Sequence, residues 1–278
     1  MRNPLLLIAT GGQGIGKSYT SLKQAIYQAY VAKFKRSSLI FDTNGEYAAY
    51  EIDGVTHRIK AIGHGNNDII KFGNTKVPEV RRIAPFHANG MPMAPEEAEA
   101  LLTRAVTFYR GGTLIIEDLN RIYGDSLPQT ITGLLCNVRH RNCDVVFHLQ
   151  SIGRILPKMR QNTKIIRYHY QLDSIEDSRE KLAGEIEIYK IAEKMVNKQQ
   201  DEGNTHFLIY VYREIKKLKG NFSNRMLSEA IQDYISENER VIKPLLIKRD
   251  LKGKKINSYE TALNQKTVEL FKKYQGNE

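Results

Sequence analysis

The 278-residue sequence has only two cysteines, Cys136 and Cys143, and no Cys-x-x-Cys pair. Two thiols cannot build a disulfide framework or a structural metal site, so both are read as reduced, buried side chains, which points to the reducing cytoplasm. Long apolar runs are also missing. The clearest one near the N-terminus, Leu5 to Ala9, falls far short of the roughly 20 residues that span a bilayer, and it has neither a basic leader nor a cleavage site. No export signal, membrane span or preceding N-terminal domain is expected. There is no low-complexity tract and no repeat at a solenoid period. The seven histidines show no ligand spacing such as His-Glu-x-x-His, so a dedicated metal site is not expected. Acidic residues are in deficit: 31 Asp and Glu face 42 Lys and Arg, a formal charge of +11 with a pI near 9.4. That balance favours a polyanionic partner such as nucleic acid. What remains, 41% apolar and 26% charged, is the composition of a folded globular protein.

Pro4 to Ala9 reads as a buried parallel strand, followed by a glycine-rich segment, a helical pattern from Lys17 to about Lys33 and a second apolar strand over Ser38 to Asp42. This is a βαβ unit. Glycine, asparagine and proline between residues 52 and 78 predict loops and short hairpin strands. Regular structure is expected to resume over Arg82 to Phe86. Pro95-Glu96-Glu97 opens a helix that Gly111-Gly112 stops. Strands over Thr113 to Glu117, Asp144 to Gln150 and Lys164 to Tyr170 follow, with a helix over Leu127 to Arg139 between the first two. Five or six strands with intervening helices make an α/β fold with a doubly wound, mostly parallel sheet. Past Asp173 the pattern changes to a long charged helix over Ser174 to Gln200, a half-buried strand over His206 to Arg213 and a helix over Phe222 to Glu237. From Arg213 onward, 15 Lys and Arg stand against 9 Asp and Glu. The expected division is a core of residues 1–173 and a smaller, basic, mainly helical α+β region of residues 174–278.

Gly11-Gly12-Gln13-Gly14-Ile15-Gly16-Lys17-Ser18 matches the phosphate-loop pattern G-x-x-x-x-G-K-[ST], directly after a strand and opening a helix, as the pattern requires. The glycines let backbone N–H groups turn inward around a phosphate, and the helix N-terminus adds its partial positive charge. Lys17 reaches the β- and γ-phosphates, and Ser18 ligates Mg²⁺. Residues Gly11 through Ser18, with Tyr19, are the candidate contacts to ATP. Thr113 to Asp118 is an apolar strand ending in two carboxylates, which suits a Walker B element. Glu117 is assigned to the metal and Asp118 to the attacking water, with the reverse assignment open. Gln150 ends its strand on the sheet edge where ligands bind and is placed to sense the γ-phosphate or the water. In the C-terminal region, Lys216-Lys217-Leu218-Lys219 and Lys243 to Lys255 are candidates for phosphate-backbone contact, with solvated basic surface as the alternative. Tyr210 and Tyr212 share one strand face and Phe207 the other, which favours packing over base stacking.

Taken with Leu39-Ile40-Phe41-Asp42-Thr43-Asn44-Gly45-Glu46-Tyr47, these motifs resemble the FtsK–HerA superfamily of DNA-pumping ATPases, whose D-P-H/N-G-E-Y signature follows the second strand. Asp42 and Glu46 are the site residues this resemblance adds. Arg139-His140-Arg141-Asn142 is similar to the stretch leading into the superfamily's sensor-glutamine strand. Leu156 to Arg167, containing Asn162-Thr163-Lys164-Ile165-Ile166-Arg167, resembles the element after it. The resemblance spans roughly residues 4–170. It implies a RecA-like (ASCE) core that uses ATP and Mg²⁺ to move double-stranded DNA through a homo-oligomeric ring, usually a hexamer. Each ATP site would be completed by a neighbour's arginine, Arg139 first and Arg141 second, although either also suits a helix C-terminal cation. Thr43 replaces the usual proline, the acid pair is Glu-Asp rather than Asp-Glu, and no barrel domain precedes the loop. Such a compact ATPase is similar to the genome-packaging ATPases of viruses with internal membranes, which implies capsid or portal partners and a place in the host cytoplasm or the virion. A second resemblance is to the zonula occludens toxin family of phage-morphogenesis ATPases, which usually carry a membrane span. A P-loop nucleotide kinase, with the basic C-terminal part as its lid or substrate domain, is the third reading.

Overall fold

A computed structural model describes residues 4–119, 129, 131–134 and 141–276. The chain divides into two compact units, Met1–Ile165 and Ile166–Glu278, against a boundary expected near residue 173. The division falls inside the last strand expected for the core.

The first unit holds strands β1 (Leu6–Thr10), β2 (Ser38–Phe41), β3 (Tyr50–Ile52), β4 (Val55–His57), β5 (Val80–Ile83), β6 (Thr113–Ile116) and β7 (Asp144–Leu149), and begins β8 (Ile165–His169). Its helices are α1 (Lys17–Ile26), α2 (Asn66–Gly73), α3 (Pro95–Phe108) and α4 (Pro157–Asn162). Five strands pair in parallel in the order β1-β7-β6-β2-β5, while β3 and β4 form a separate antiparallel hairpin. The strands β1, β2, β6 and β7 are buried along their whole length, as expected of parallel strands covered on both faces. Helix α3 packs on α2 and buries Ala98, Leu101, Leu102, Ala105 and Val106, the i, i+3, i+4, i+7, i+8 spacing of a core stripe. Each buried leucine there contributes about 1.5–3 kcal/mol of apolar burial. Asp144, at the start of β7, accepts from Leu5 N at 2.7 Å and from Arg36 Nη1 at 3.0 Å, tying the entrances of β1 and β2 to β7. The fold is α/β on a mostly parallel, helix-flanked sheet, as the element pattern predicts.

Three local expectations are corrected. The first helix stops at Ile26 and continues as one π-helical turn, Tyr27–Val31, in which Ala29 alone is buried, so core packing does not hold the regular pitch. Within the segment read as loops and hairpin, residues 66–73 form α2. There the Asp68 carboxylate accepts from Gly65 N at 3.3 Å, Ile69 and Phe72 are buried, and Phe72 stacks on Tyr109 with centroids 5.7 Å apart. The long charged helix begins only at Ile186, because Gly184 takes a left-handed φ of 81° that no helix continues through. The helix expected over residues 127–139 falls largely outside the described residues, as does Cys136.

The second unit contains α5 (Ile186–Asp201), the antiparallel pair β9 (Leu208–Tyr212) and β10 (Lys217–Gly220), α6 (Asn224–Glu237), α7 (Lys243–Leu246) and α8 (Tyr259–Tyr274). Helix α5 packs on α6; α5 buries Ile188, Ile191, Ala192 and Met195, and α6 buries Leu227, Ala230 and Ile231. Ser223 and Ser258 cap α6 and α8, each accepting a backbone N–H three residues on at 3.1 Å. Among the described residues no helix is long and apolar enough to cross a membrane.

Gly112, at the entrance to β6, gives the sharpest packing test. A Cβ there would lie 2.0 Å from the Tyr109 hydroxyl and 2.3 Å from the Ser37 carbonyl, the two atoms of a 2.9 Å hydrogen bond. Gly112→Ala should therefore lower the unfolding free energy of this unit by about 1–3 kcal/mol, read as a lowered urea midpoint.

Candidate active site

Because β1, β7, β6, β2 and β5 run parallel, the loops leaving their C-terminal ends share one sheet edge. The register decides which side chains meet there. Thr10 pairs with Leu149, Ile116 with Phe147 and Phe41 with Ile116, which brings Gly11, Gln150, Glu117 and Asp42 to the same edge and sets His148 beside Glu117.

The phosphate loop is anchored by Gly11 N, which donates to Leu149 O at 3.2 Å, and by the buried Ile15. Gly14 and Gly16 sit at φ 76° and 85°, a region in which a side chain would be strained. Lys17 Nζ donates to the carbonyls of Gly11 and Gly12 at 2.7 and 2.5 Å, so the ammonium is held across the mouth of its own loop.

Glu117 is buried, and one of its oxygens collects three donors. Ser18 Oγ donates to Oε1 at 2.5 Å, the Tyr47 hydroxyl at 2.6 Å, and His148 Nδ1 lies 3.3 Å away. His148 Nε2 lies 2.7 Å from Ser21 Oγ, one turn beyond Ser18 on α1. Nδ1 thus faces the carboxylate and Nε2 the serine hydroxyl. Burial pushes the Glu117 carboxyl up, but the bonds from His148, Ser18 and Tyr47 outweigh it and hold the group below the ordinary carboxylate range. The Tyr47 phenol is pushed well above its ordinary value by burial and by the Glu117 charge, so it stays a donor at neutral pH.

Asp42 does not face the loop as an open carboxylate. It is buried, accepts from Glu46 N at 2.9 Å and Tyr47 N at 3.2 Å, and pairs with Arg82 Nη1 at 3.1 Å. It thereby caps the 3₁₀ turn Glu46–Ala48 that carries Tyr47 inward. Thr43 Oγ1 donates to the Glu117 carbonyl at 2.8 Å, a bond that a proline at this position could not make. Partial burial, then the charges of Glu117, Asp42 and Asp118, push Glu46 up while Lys17 opposes them, so four carboxylates and one ammonium act on each other along this edge. Asp118 takes φ 46°, a left-handed conformation that few residues other than glycine adopt and aspartate tolerates best.

Gln150 is exposed at the end of β7, as the strand reading expects, and Gln13 is exposed in the loop. Tyr19 turns to a different neighbour: its hydroxyl donates to Asp53 Oδ1 at 2.6 Å, alongside Lys23. Arg141 is half-buried, and its guanidinium donates to the Val106 carbonyl of α3 in its own chain. Arg139 lies outside the described residues. His148 and Tyr47 are the site residues that the motifs alone did not assign. The signal for His148 was present, since a histidine inside an otherwise apolar buried strand must find polar partners.

The site fits a magnesium-bound triphosphate. Glu117 Oε2 is buried with no hydrogen-bond partner among the described residues, beside the hydroxyl of Ser18. No group of three or more His, Cys, Asp or Glu that could hold a metal alone occurs among the described residues. Ser18 and Glu117 would therefore hold Mg²⁺ together with phosphate oxygens, the usual sharing for this ion.

A family model described as Zonular occludens toxin (Zot) matches residues 5–179, which include the phosphate loop, Glu117 and Gln150. No curated protein matches the chain. The genome packaging NTPase B204 from Sulfolobus turreted icosahedral virus 2, in complex with ATP-gammaS, is similar over 79% of this chain and 97% of its own, with 16% identity and a TM-score of 0.49. B204, the DNA-packaging ATPase from Sulfolobus Turreted Icosahedral Virus, is similar over 78% and 97%, with 15% identity and a TM-score of 0.47. The N-terminal domain of zonular occludens toxin from Neisseria meningitidis is similar over 62% and 79%, with 12% identity and a TM-score of 0.34.

Tyr47→Phe keeps the ring, which stacks on Tyr50 with centroids 5.6 Å apart, and removes one donor from an ionised carboxylate. Unfolding free energy in urea at neutral pH should fall by about 1.5–3 kcal/mol. Since the folded state holds Glu117 below its ordinary value, this contribution is present above the unfolded value and is lost as pH falls through the folded one. The gap between wild type and variant should narrow in that direction.

Proposed function

We propose that this chain, which belongs to the zonular occludens toxin (Zot) family, is a Mg²⁺-dependent ATP hydrolase that moves double-stranded DNA during the assembly of a virus particle, working as a homo-oligomeric ring. The observation that carries the hydrolase is the junction of the phosphate loop with the acid strand: Ser18 and Glu117 meet at 2.5 Å, and the second carboxylate oxygen of Glu117 is buried with no hydrogen-bond partner among the described residues. The formal charge of +11 supports a polyanionic substrate for the motion.

In this mechanism the loop N–H groups of residues 11–18 and the start of α1 bind the phosphates, and Lys17 moves from its own carbonyls to the β- and γ-phosphates. Ser18 and Glu117 hold Mg²⁺, which supplies charge neutralisation and polarisation of the phosphoryl oxygens. Tyr47 and His148 keep Glu117 ionised and in one orientation, while Asp42 keeps Tyr47 in place. Asp118, next in the chain and only partly buried, takes the role of orienting water. Gln150, exposed at the same edge, senses the γ-phosphate. The arginine donated across a ring interface is Arg139 in first place, because Arg141 is engaged with its own α3. Kinship with the FtsK–HerA ATPases belongs to the same proposal and is supported by the Asp42 to Tyr47 segment. Capsid or portal proteins would be further partners.

Lys17→Ala should reduce ATP turnover by at least about 10²-fold with an unchanged circular dichroism spectrum. Addition of duplex DNA should raise the rate of the wild-type protein. Undiminished turnover in the variant would overturn the site. A rate indifferent to DNA, but dependent on a small phosphoryl acceptor, would replace the motor by a kinase.

A further inference from the structure

Between α7 and α8 the chain makes a tight two-stranded turn whose cations make no side-chain hydrogen bond or ion pair among the described residues. Arg249 and Lys255 are paired directly across it in antiparallel fashion, and Ile256 N donates to Lys248 O at 3.1 Å. Asp250 N donates to Lys254 O at 2.9 Å and Gly253 N to Asp250 O at 3.0 Å, with Gly253 at φ 79°. Asp250, the one acid of the turn, accepts from Lys252 N and Lys254 N through Oδ1 at 2.9 Å each. At the base, the buried Asn257 donates to Leu245 O at 3.1 Å. Leu251, at the tip, is fully exposed.

The charges decide what such a turn is for. Lys248, Arg249, Lys252, Lys254 and Lys255 lie on both strands and the tip, all exposed, and among the described residues none of their side chains makes a hydrogen bond or ion pair. Like charges directly opposite each other across a strand pair are destabilising, yet Arg249 faces Lys255, and among the described residues neither makes an ion pair. The other basic stretch behaves differently: Lys217 Nζ donates to Lys272 O, and Lys219 lies over the Tyr212 ring at 5.6 Å. A two-stranded ribbon of this kind is narrow enough for the major groove, where an aliphatic tip meets base edges while cations on both strands reach the flanking phosphates.

We propose that the turn over residues 248–256 is a duplex-DNA grip, in which the five cations neutralise backbone phosphates and Leu251 enters the groove. This rests on the DNA-moving reading and adds the place of contact. The contact is independent of base sequence, as motion along any DNA requires.

The test is fluorescence anisotropy of the full chain with a labelled duplex of about 30 base pairs across a series of salt concentrations. Arg249→Ala/Lys255→Ala should make the slope of log affinity against log salt shallower by about 2, at roughly 0.9 per lost phosphate contact, and weaken binding about tenfold or more at low salt. Leu251→Ser should weaken binding by a few fold at unchanged slope, and Lys217→Ala/Lys219→Ala should leave the slope as it is. Thermal midpoints of all variants confirm that they are folded. If the wild type binds duplex and the Arg249/Lys255 variant shows the same slope and affinity, the grip is elsewhere and the motor reading stands. A wild type that fails to bind duplex overturns the DNA reading itself. If the variant keeps DNA binding but loses co-sedimentation with phosphatidylserine vesicles, the turn is a membrane contact and the grip is refuted.

Discussion

The candidate site is organised around one buried negative charge. A carboxylate taken out of water costs several kcal/mol unless donors replace its hydration, and Glu117 meets that demand with Ser18 from the first turn of α1, Tyr47 from the turn after β2 and His148 from β7. These three residues come from distant parts of the chain, so satisfying the charge forces three separate segments to converge. The convergence is itself supported. Asp42 caps the turn that carries Tyr47, Arg82 pairs with Asp42, and Thr43 ties the same loop to the Glu117 carbonyl. All three donors crowd onto one oxygen, and the other has no hydrogen-bond partner among the described residues, which is the arrangement a metal-holding carboxylate needs if it is to be rigid and still open on one side.

What could be read from the sequence is what depends on near neighbours. Glycines at 11, 14 and 16 before Lys17 and Ser18 announce a phosphate loop because each step of that turn is a local backbone requirement. The apolar runs of β1, β6 and β7 announce buried parallel strands for the same reason. The lateral order of those strands is not local. That β7 lies between β1 and β6 follows from how the whole sheet closes, and only this order sets His148 beside Glu117 and within reach of Ser21. Asp42 shows the same limit. Its type and place beside the second strand marked it as a site residue, but its work as a cap depends on the turn formed by the next five residues. Helix α2 was missed because its glycine and asparagine content reads as loop until Asp68, Ile69 and Phe72 find their partners.

The resemblance to the zonula occludens toxin family, the second of two at the level of sequence, is the one a family model supports over residues 5–179. The absence of a membrane span told against it, and among the described residues no helix is long and apolar enough to supply one. The match rests instead on the nucleotide core. Charge is divided between two tasks. In the first unit, buried acids and Lys17 are matched to each other around the phosphate loop. In the second, the turn between α7 and α8 carries five exposed cations that make no ion pair among the described residues, the condition in which a polyanion is recognised without regard to sequence.

The most direct measurement is calorimetric titration of a slowly hydrolysed ATP analogue into the wild-type protein and into Glu117→Gln, each with and without Mg²⁺. The expected result is tight, Mg²⁺-dependent binding to the wild type and weaker binding to the variant that no longer responds to the metal. A variant whose affinity rises with Mg²⁺ as much as the wild type's would show that the buried carboxylate does not hold the ion. A wild-type protein giving no heat would remove the nucleotide site altogether.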